Sequence, residues 1–448
     1  MRRSRRRVLS RGLVAALAAT TLSGCATSAT RTSSPTTIVD ASVRVAHTSE
    51  GDVGYRTMGS GPALVLIMGY AGSMETWDPH FVDALSRHFR VIIFDNAGIG
   101  STAAIRAPLS IDAMADQTGA LITALHLSSP DVLGWSMGSM IAQALAIRHP
   151  GQVRRLILCA TFPGVGNAVQ PSQKDVAALT GSNPAAAQAD LFPSDQTMAA
   201  DAFAGDIAAY PASPSASASV IAAQKSAVLA WFDGRDPAGR EATRISAPTL
   251  VADGANDRID AAANDRAVAA EIPGSRLVLY PDAGHAFLFQ EGTPFTFLVR
   301  TFLAGAPAAI APSQVRQRYL ADQKASNAAG RRWASGLKSL TASSTAQDLA
   351  RIDLRFADAL GALDDELLGY GANGTLGTSI SALVNADELV GRDVLALAVQ
   401  GGSKAKAWTT TIGNDGKVLL ALENALRRHF GLAPITTTTT TTTTTPMF

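Results

Sequence analysis

Cysteine is almost missing from this chain: Cys25 and Cys159 are the only two in 448 residues. Charge is also scarce, at 17% of residues, and it nearly cancels to a net of +1. Once the first eleven residues are set aside no basic stripe is left, which removes the electrostatic case for nucleic acid or an acidic partner. Histidine–carboxylate clusters with metal-ligand spacing are missing too, so no metal and no cofactor is implied. What is present is a globular balance, 47% hydrophobic with 38 glycines. The length exceeds a typical single domain and predicts two domains plus tails.

The N-terminus reads as an address. Arg2, Arg3, Arg5, Arg6, Arg7 and Arg11 form a basic region, followed by the apolar run Leu13–Ala19. That run is far shorter than the roughly 18 residues of a spanning helix and suits a signal sequence. Leu22-Ser23-Gly24-Cys25 resembles the lipobox of bacterial lipoproteins. The resemblance implies removal of residues 1–24, a lipid on Cys25 and an extracytoplasmic protein held at the cell membrane or envelope. Ser4-Arg5-Arg6-Arg7-Val8-Leu9 also resembles a twin-arginine export signal, so two export routes stay open. With Cys25 lipidated no intramolecular disulfide can form, and Cys159, inside Leu156-Ile157-Leu158-Cys159, reads as a small buried hydrophobe.

Residues 25–40, rich in Thr, Ser and Ala, read as a flexible tether. From 41 to 305 short apolar runs alternate with amphipathic stretches. Val43–Val45 and Val53–Tyr55 suggest a first strand pair. The continuous runs 63–67, 91–94, 131–133, 156–158, 249–251 and 277–279 are strands covered on both faces. Alternation of this kind predicts a mostly parallel sheet wrapped by helices. Residues 162–247 break the rhythm with Ala-, Pro- and Ser-rich helical pieces, which suggests a helical cap inserted over one end of the sheet. Residues 306–434 read as an α-helical domain. Leu349, Ile352, Phe356, Leu360, Leu363 and Leu367 lie at three- and four-residue steps there, behind a Thr345/Asp348 capping pair. Within 435–448 an unbroken threonine run, Thr436 to Thr445, has no pattern from which to build a core.

The chemistry concentrates in three strand-end loops. Gly134-Trp135-Ser136-Met137-Gly138 is a G-x-S-x-G sequence between a predicted strand and a predicted helix. In that setting the serine sits on a strained turn at a helix N-terminus, a place suited to a nucleophile. A hydroxyl needs a base, and His285 follows the last apolar run in Asp282-Ala283-Gly284-His285. His47, His80, His88, His126, His149 and His429 sit on elements where surface or packing roles are usual. An acid is needed to orient the base. Asp257 follows the strand Thr249–Val251, with Asp253 and Asp260 as its rivals. Two backbone N–H groups, of Met137 and Tyr70, are the expected oxyanion donors.

In order, Met68-Gly69-Tyr70, Asp95–Ser101, Gly134–Gly138, Gly254–Asp257 and Gly284-His285 resemble the motifs of the α/β-hydrolase superfamily, nearest its capped esterase and cofactor-free haloperoxidase-like branch. The resemblance covers a little over half the chain. It departs at Met68, where that branch usually has histidine, and at Ala97, where it usually has arginine. The resemblance implies an α/β-hydrolase fold and hydrolysis of a small acyl substrate.

Ser136 argues against dehalogenase and epoxide hydrolase chemistry, in which an aspartate forms the ester intermediate. The His-Gly-Gly-Gly and Gly-Gly-x-Gly loops of two other branches are missing. What remains is a carboxylic-ester hydrolase working through an acyl-enzyme on Ser136, with perhydrolysis as a side activity. The alternatives are amide or thioester hydrolysis, or a catalytically silent binding lipoprotein. Phe162, Phe192, Phe203, Trp231 and Phe232 either wall an acyl site or form the insertion's own core. The helical region 306–434 is open to three readings: a dock for a protein partner, a cover for the cap, or a spacer at the envelope.

Overall fold

The computed structural model describes residues 37–435 except 106–107, 181–186, 188–189, 212–213, 306–311, 342, 371–373, 398–416 and 429. The expected signal segment, Cys25, His429 and the threonine run lie outside the described residues. Among the described residues no helix is long and apolar enough to cross a membrane.

Residues Pro35–Ala306 form one compact unit. Eight strands make one sheet: β1 (Arg44–Thr48), β2 (Gly51–Met58), β3 (Ala63–Ile67), β4 (Arg90–Phe94), β5 (Asp131–Trp135), β6 (Leu156–Cys159), β7 (Thr249–Gly254) and β8 (Arg276–Tyr280). Their order is β1-β2-β4-β3-β5-β6-β7-β8. The β1–β2 and β2–β4 pairs are antiparallel, and every pairing from β4 to β8 is parallel. Helices cover parallel strands on both faces, and that is why β5, β6 and β7 are buried along their full length. Val65, Ile67, Val132, Leu158 and Val251 all lie in the main apolar core.

The chain order reverses between β3 and β5. In open sheets the crevice for ligands forms at the carboxyl ends of strands at such a point. The loops after β3, β5, β7 and β8 all leave from those ends.

One expectation needs correction. The tether was expected to reach residue 40, but Ile38–Asp40 form a short 3-10 turn with Ile38 and Val39 buried. The Ile38 N–H donates to Asp83 Oδ1 at 2.7 Å, so the apolar pair is docked rather than solvated. The aromatic residues of the insertion are buried, and Phe162, Trp231 and Phe232 belong to the main apolar core together with the sheet. Phe162 lies 4.7 Å from Phe232 between ring centres, Phe192 lies 5.7 Å from Phe203, and the Trp231 indole donates to the Phe162 carbonyl. The described helices of the insertion are Gln173–Thr180, Thr197–Ile207 and Ala218–Phe232.

Pro307–Phe448 belong to a second unit. Its helices are Pro312–Ser339, Ala346–Leu368, Gly374–Leu397 and 417–428. Thr345 and Asp348 form a reciprocal capping box. The apolar stripe read from the sequence is offset by about one position. Leu354, Ala357 and Leu360 are buried with Asp353 among them, whereas Ile352 and Phe356 are half-buried. The offset has a polar cause: Trp333 Nε1 donates to Asp353 Oδ1 at 2.7 Å, turning the acid inward, while the Phe356 ring stacks on Trp333.

Candidate active site

Gly134, next to last in β5, lies against backbone that leaves no space for a side chain: an added Cβ would stand 2.2 Å from the Gly138 carbonyl oxygen. At Gly138 it would stand 2.0 Å from the oxygen of Ile67. Between these glycines Ser136 has φ 58° and ψ −125°, a left-handed backbone that a β-substituted residue adopts only under strain. Its N–H donates to the Cys159 carbonyl at 2.9 Å and its carbonyl accepts from Ser139 N at 2.8 Å. The turn is held from both sides, and the helix Met137–Arg148 starts at once beyond it.

Gly69, in the loop after β3, packs against the same turn; a Cβ there would be 3.2 Å from Ser136 Cβ and 3.8 Å from its Oγ. That contact brings Tyr70 beside Ser136. Neither the Tyr70 nor the Met137 N–H is bonded to a protein acceptor among the described residues. The helix N-terminus adds its positive dipole end at Met137. Beneath this loop Asn96 Nδ2 donates to the Met68 carbonyl at 2.8 Å, and Asp95 Oδ1 accepts from Met74 N at 2.8 Å. Met68 and Ala97, the two departures from the motif pattern, are both buried.

The loops after β7 and β8 are laced together. Ala255 N donates to the Tyr280 carbonyl at 2.7 Å and Asn256 N to the Ala283 carbonyl at 3.0 Å. Their lacing places Asp257 against His285, where Nδ1 donates to Asp257 Oδ2 at 2.6 Å with both side chains buried. Asp257 Oδ1 accepts from the N–H groups of Ile259 and Asp260 at 2.7 and 2.9 Å, so the carboxylate is fixed on both oxygens. Trp135, next to Ser136, donates its indole N–H to the His285 carbonyl at 2.9 Å. The serine turn and the histidine loop are thus tied by one side chain.

The rival acids lie elsewhere. Asp253, Asp260 and Asp265 are fully buried, with one carboxylate oxygen of each inside a 4.8 Å cluster. Asp260 Oδ1 accepts from Asn264 Nδ2 at 2.7 Å, and Asp260 does not cap the following helix, whose N-cap is Ala261. Burial pushes the Asp253 carboxyl well up, and the neighbouring charges of Asp257, Asp265 and Asp260 push it further. Asp265 is pushed up to about 7, chiefly by burial. Burial and crowding thus disfavour charge on all three acids; a cation would need the same three oxygens. Sequence reading missed Asp265, which lies on the helix Ala262–Glu271 and joins the cluster only through the fold.

The remaining described histidines are engaged or peripheral. His47 pairs with Asp52 in an exposed position, and His149 pairs with Asp116 in a half-buried one. Cys159 is fully buried, and burial with the Asp265 charge pushes its thiol up, which disfavours a reactive thiolate.

A family model described as the alpha/beta hydrolase fold matches residues 62–292. This chain belongs to that family. Among its relatives is the Mycobacterium tuberculosis (strain H37Rv) protein provisionally named non-heme bromoperoxidase BpoC, 33% identical over 57% of this chain and 99% of its own length. The 2-hydroxymuconate semialdehyde hydrolase of Pseudomonas sp. (strain CF600) is 30% identical over 56% of this chain and 90% of its own. Among solved structures, an alpha/beta hydrolase fold protein from Chitinophaga pinensis superposes with a TM-score of 0.54 at 27% identity, covering 59% of this chain and 98% of that one. This α/β-hydrolase is a hydrolase. The family model's match ends before the C-terminal helical unit.

Proposed function

We propose that this α/β-hydrolase is a serine hydrolase of carboxylic esters, with Ser136 as nucleophile, His285 as base and Asp257 as its supporting acid. The observation that carries the reading is the buried 2.6 Å bond from His285 Nδ1 to Asp257 Oδ2. It fixes the imidazole tautomer, leaving Nε2 to accept a proton. Trp135 holds the histidine loop against the serine turn.

In the reaction, Ser136 Oγ attacks the ester carbonyl while His285 Nε2 takes its proton. Asp257 stabilises the imidazolium that forms. The N–H groups of Met137 and Tyr70 donate to the developing oxyanion. The same proton passes to the leaving alcohol as the carbonyl reforms, giving an acyl-enzyme on Ser136. Water, deprotonated by His285, then clears the acyl group. No step calls on a cofactor.

The site of action in this reading is outside the cytoplasm, with a lipid on Cys25 holding the protein at the membrane. The lipobox-like Leu22–Cys25 supports it. The C-terminal helical unit serves in this reading as a dock for a protein partner at the envelope.

The test is hydrolysis of p-nitrophenyl esters from acetate to palmitate by the protein and its Ser136→Ala variant. Turnover present in the first and lost in the second is the expected result. Folded protein that hydrolyses none of these esters removes the ester reading, and amide, thioester or silent binding roles take its place.

The relative named as a bromoperoxidase favours a second reading for the same acyl-enzyme. Hydrogen peroxide replaces water at the acyl carbonyl and leaves as a peracid, which oxidises bromide. Acetate-dependent bromination of phenol red, lost in Ser136→Ala, is its test.

A further inference from the structure

The loop that carries Tyr70 is held from above by the insertion. Tyr70 Oη donates to the Ile221 carbonyl at 3.2 Å. One helical turn further along Ala218–Phe232, Gln224 Oε1 accepts from the Ala71 N–H at 2.8 Å. From below, Asn96 Nδ2 holds the Met68 carbonyl. The Tyr70 N–H therefore sits between two clamped peptides.

Two unfavourable features coincide at this contact. Ala71 has φ 58°, a left-handed conformation in a residue that has a Cβ. Gln224 is fully buried and its Nε2 has no hydrogen-bond partner. The amide orientation is set by chemistry, since only the oxygen can accept from the Ala71 N–H, so the donor end is the one left over. A methionine or leucine at this position would fill similar space without stranding a buried donor. Gln224 therefore has one evident use in the fold, which is to accept from Ala71. Buried costs of this kind gather at functional sites.

We propose that Gln224 is a positioning residue for the oxyanion hole. By accepting from Ala71 N it holds the left-handed turn that aims the Tyr70 N–H at the developing oxyanion, and turnover thereby depends on how the insertion helix is seated. The proposal rests on the Ser136 reading above. An effect of this kind acts on the transition state more than on substrate binding, so it lowers kcat and leaves KM nearly unchanged.

The experiment compares the full protein with Gln224→Met and Gln224→Glu, using p-nitrophenyl butyrate kinetics and the rate of Ser136 labelling by a fluorophosphonate. Gln224→Met loses the acceptor and is expected to lower kcat about ten- to hundredfold. KM should change less than about twofold, and labelling should slow in parallel. Gln224→Glu keeps an acceptor oxygen and is expected to recover most of the loss. Wild-type kcat and labelling in Gln224→Met would overturn the proposal, as would a Gln224→Glu defect equal to that of Gln224→Met. A rise in KM at constant kcat would also overturn it, by placing Gln224 in substrate binding. Should Gln224→Met not fold, wild-type rates in folded Gln224→Leu would overturn it equally. A folded wild-type protein that neither turns over esters nor labels removes the Ser136 reading itself, and this proposal with it.

Discussion

Replacing Gly138 by alanine tests the link between packing and chemistry at a single atom. The added Cβ would stand 2.0 Å from the Ile67 oxygen, 2.7 Å from the Ile67 carbonyl carbon and 2.9 Å from the Met68 oxygen. All three are backbone atoms, and ordinary contact begins at 3.4 Å. The end of β3 would have to retreat from the serine turn by well over an ångström. Overpacking against side chains costs about 1–3 kcal/mol, and rigid backbone puts this case at about 3 kcal/mol or more. In a domain of this size that is a fall in Tm of roughly 6–12 °C. The displaced strand leads directly into Met68-Gly69-Tyr70, so the expected oxyanion donor moves with it. A misplacement near 1 Å costs about a hundredfold in rate. Gly151→Ala is the control, because nothing lies within 4 Å of its Cβ position; it should be neutral or stabilising by about 0.4–1 kcal/mol. Thermal melts and p-nitrophenyl butyrate kinetics read both effects. A Gly138→Ala protein with the Tm and kcat of wild type would refute the reasoning.

Other outcomes follow from the same geometry. Asp257→Asn should keep the fold and lower kcat by about 10⁴-fold, because the amide can stabilise the wrong imidazole tautomer; a loss under tenfold would remove Asp257 from the role. Asp95 is pushed up to about 6, chiefly by burial. Its folded form therefore holds a proton that the unfolded chain has lost between about pH 4 and 6, and stability falls as pH rises through that window. Asp95→Asn keeps the acceptor for Met74 N and should gain up to about 3 kcal/mol over wild type above pH 6 and little near pH 4; a Tm difference that does not vary with pH would contradict this. Cys25→Ala should move the protein from the membrane fraction to the soluble fraction of its host, and unchanged membrane retention would exclude the lipid anchor.

The parallel strands were legible because strands covered on both faces must be apolar throughout, as in Ala63–Ile67 and Val91–Phe94. The serine, aspartate and histidine loops were legible because each follows such a run and carries residues whose chemistry is distinctive. The helix behind the serine starts at Met137 without a capping side chain, launched by the strained turn at Ser136. Ile38 and Val39 looked like part of a tether, since two apolar residues have no periodicity and their docking depends on Asp83, 45 residues away. Gln224 was invisible for a similar reason. A glutamine in an alanine-rich helix reads as a solvent-facing residue, and its partner Ala71 is 153 positions distant. Asp265 joins Asp253 and Asp260 only when β7 and the helix Ala262–Glu271 fold together. In each case the missing information was tertiary.

The most direct test of the central claim is covalent. The folded protein should take up one equivalent of a fluorophosphonate, and peptide mass mapping should place the adduct on Ser136, with none in Ser136→Ala and slowed uptake in Asp257→Asn. Labelling at another residue, or no labelling of folded protein, would contradict the assignment of Ser136 as the nucleophile.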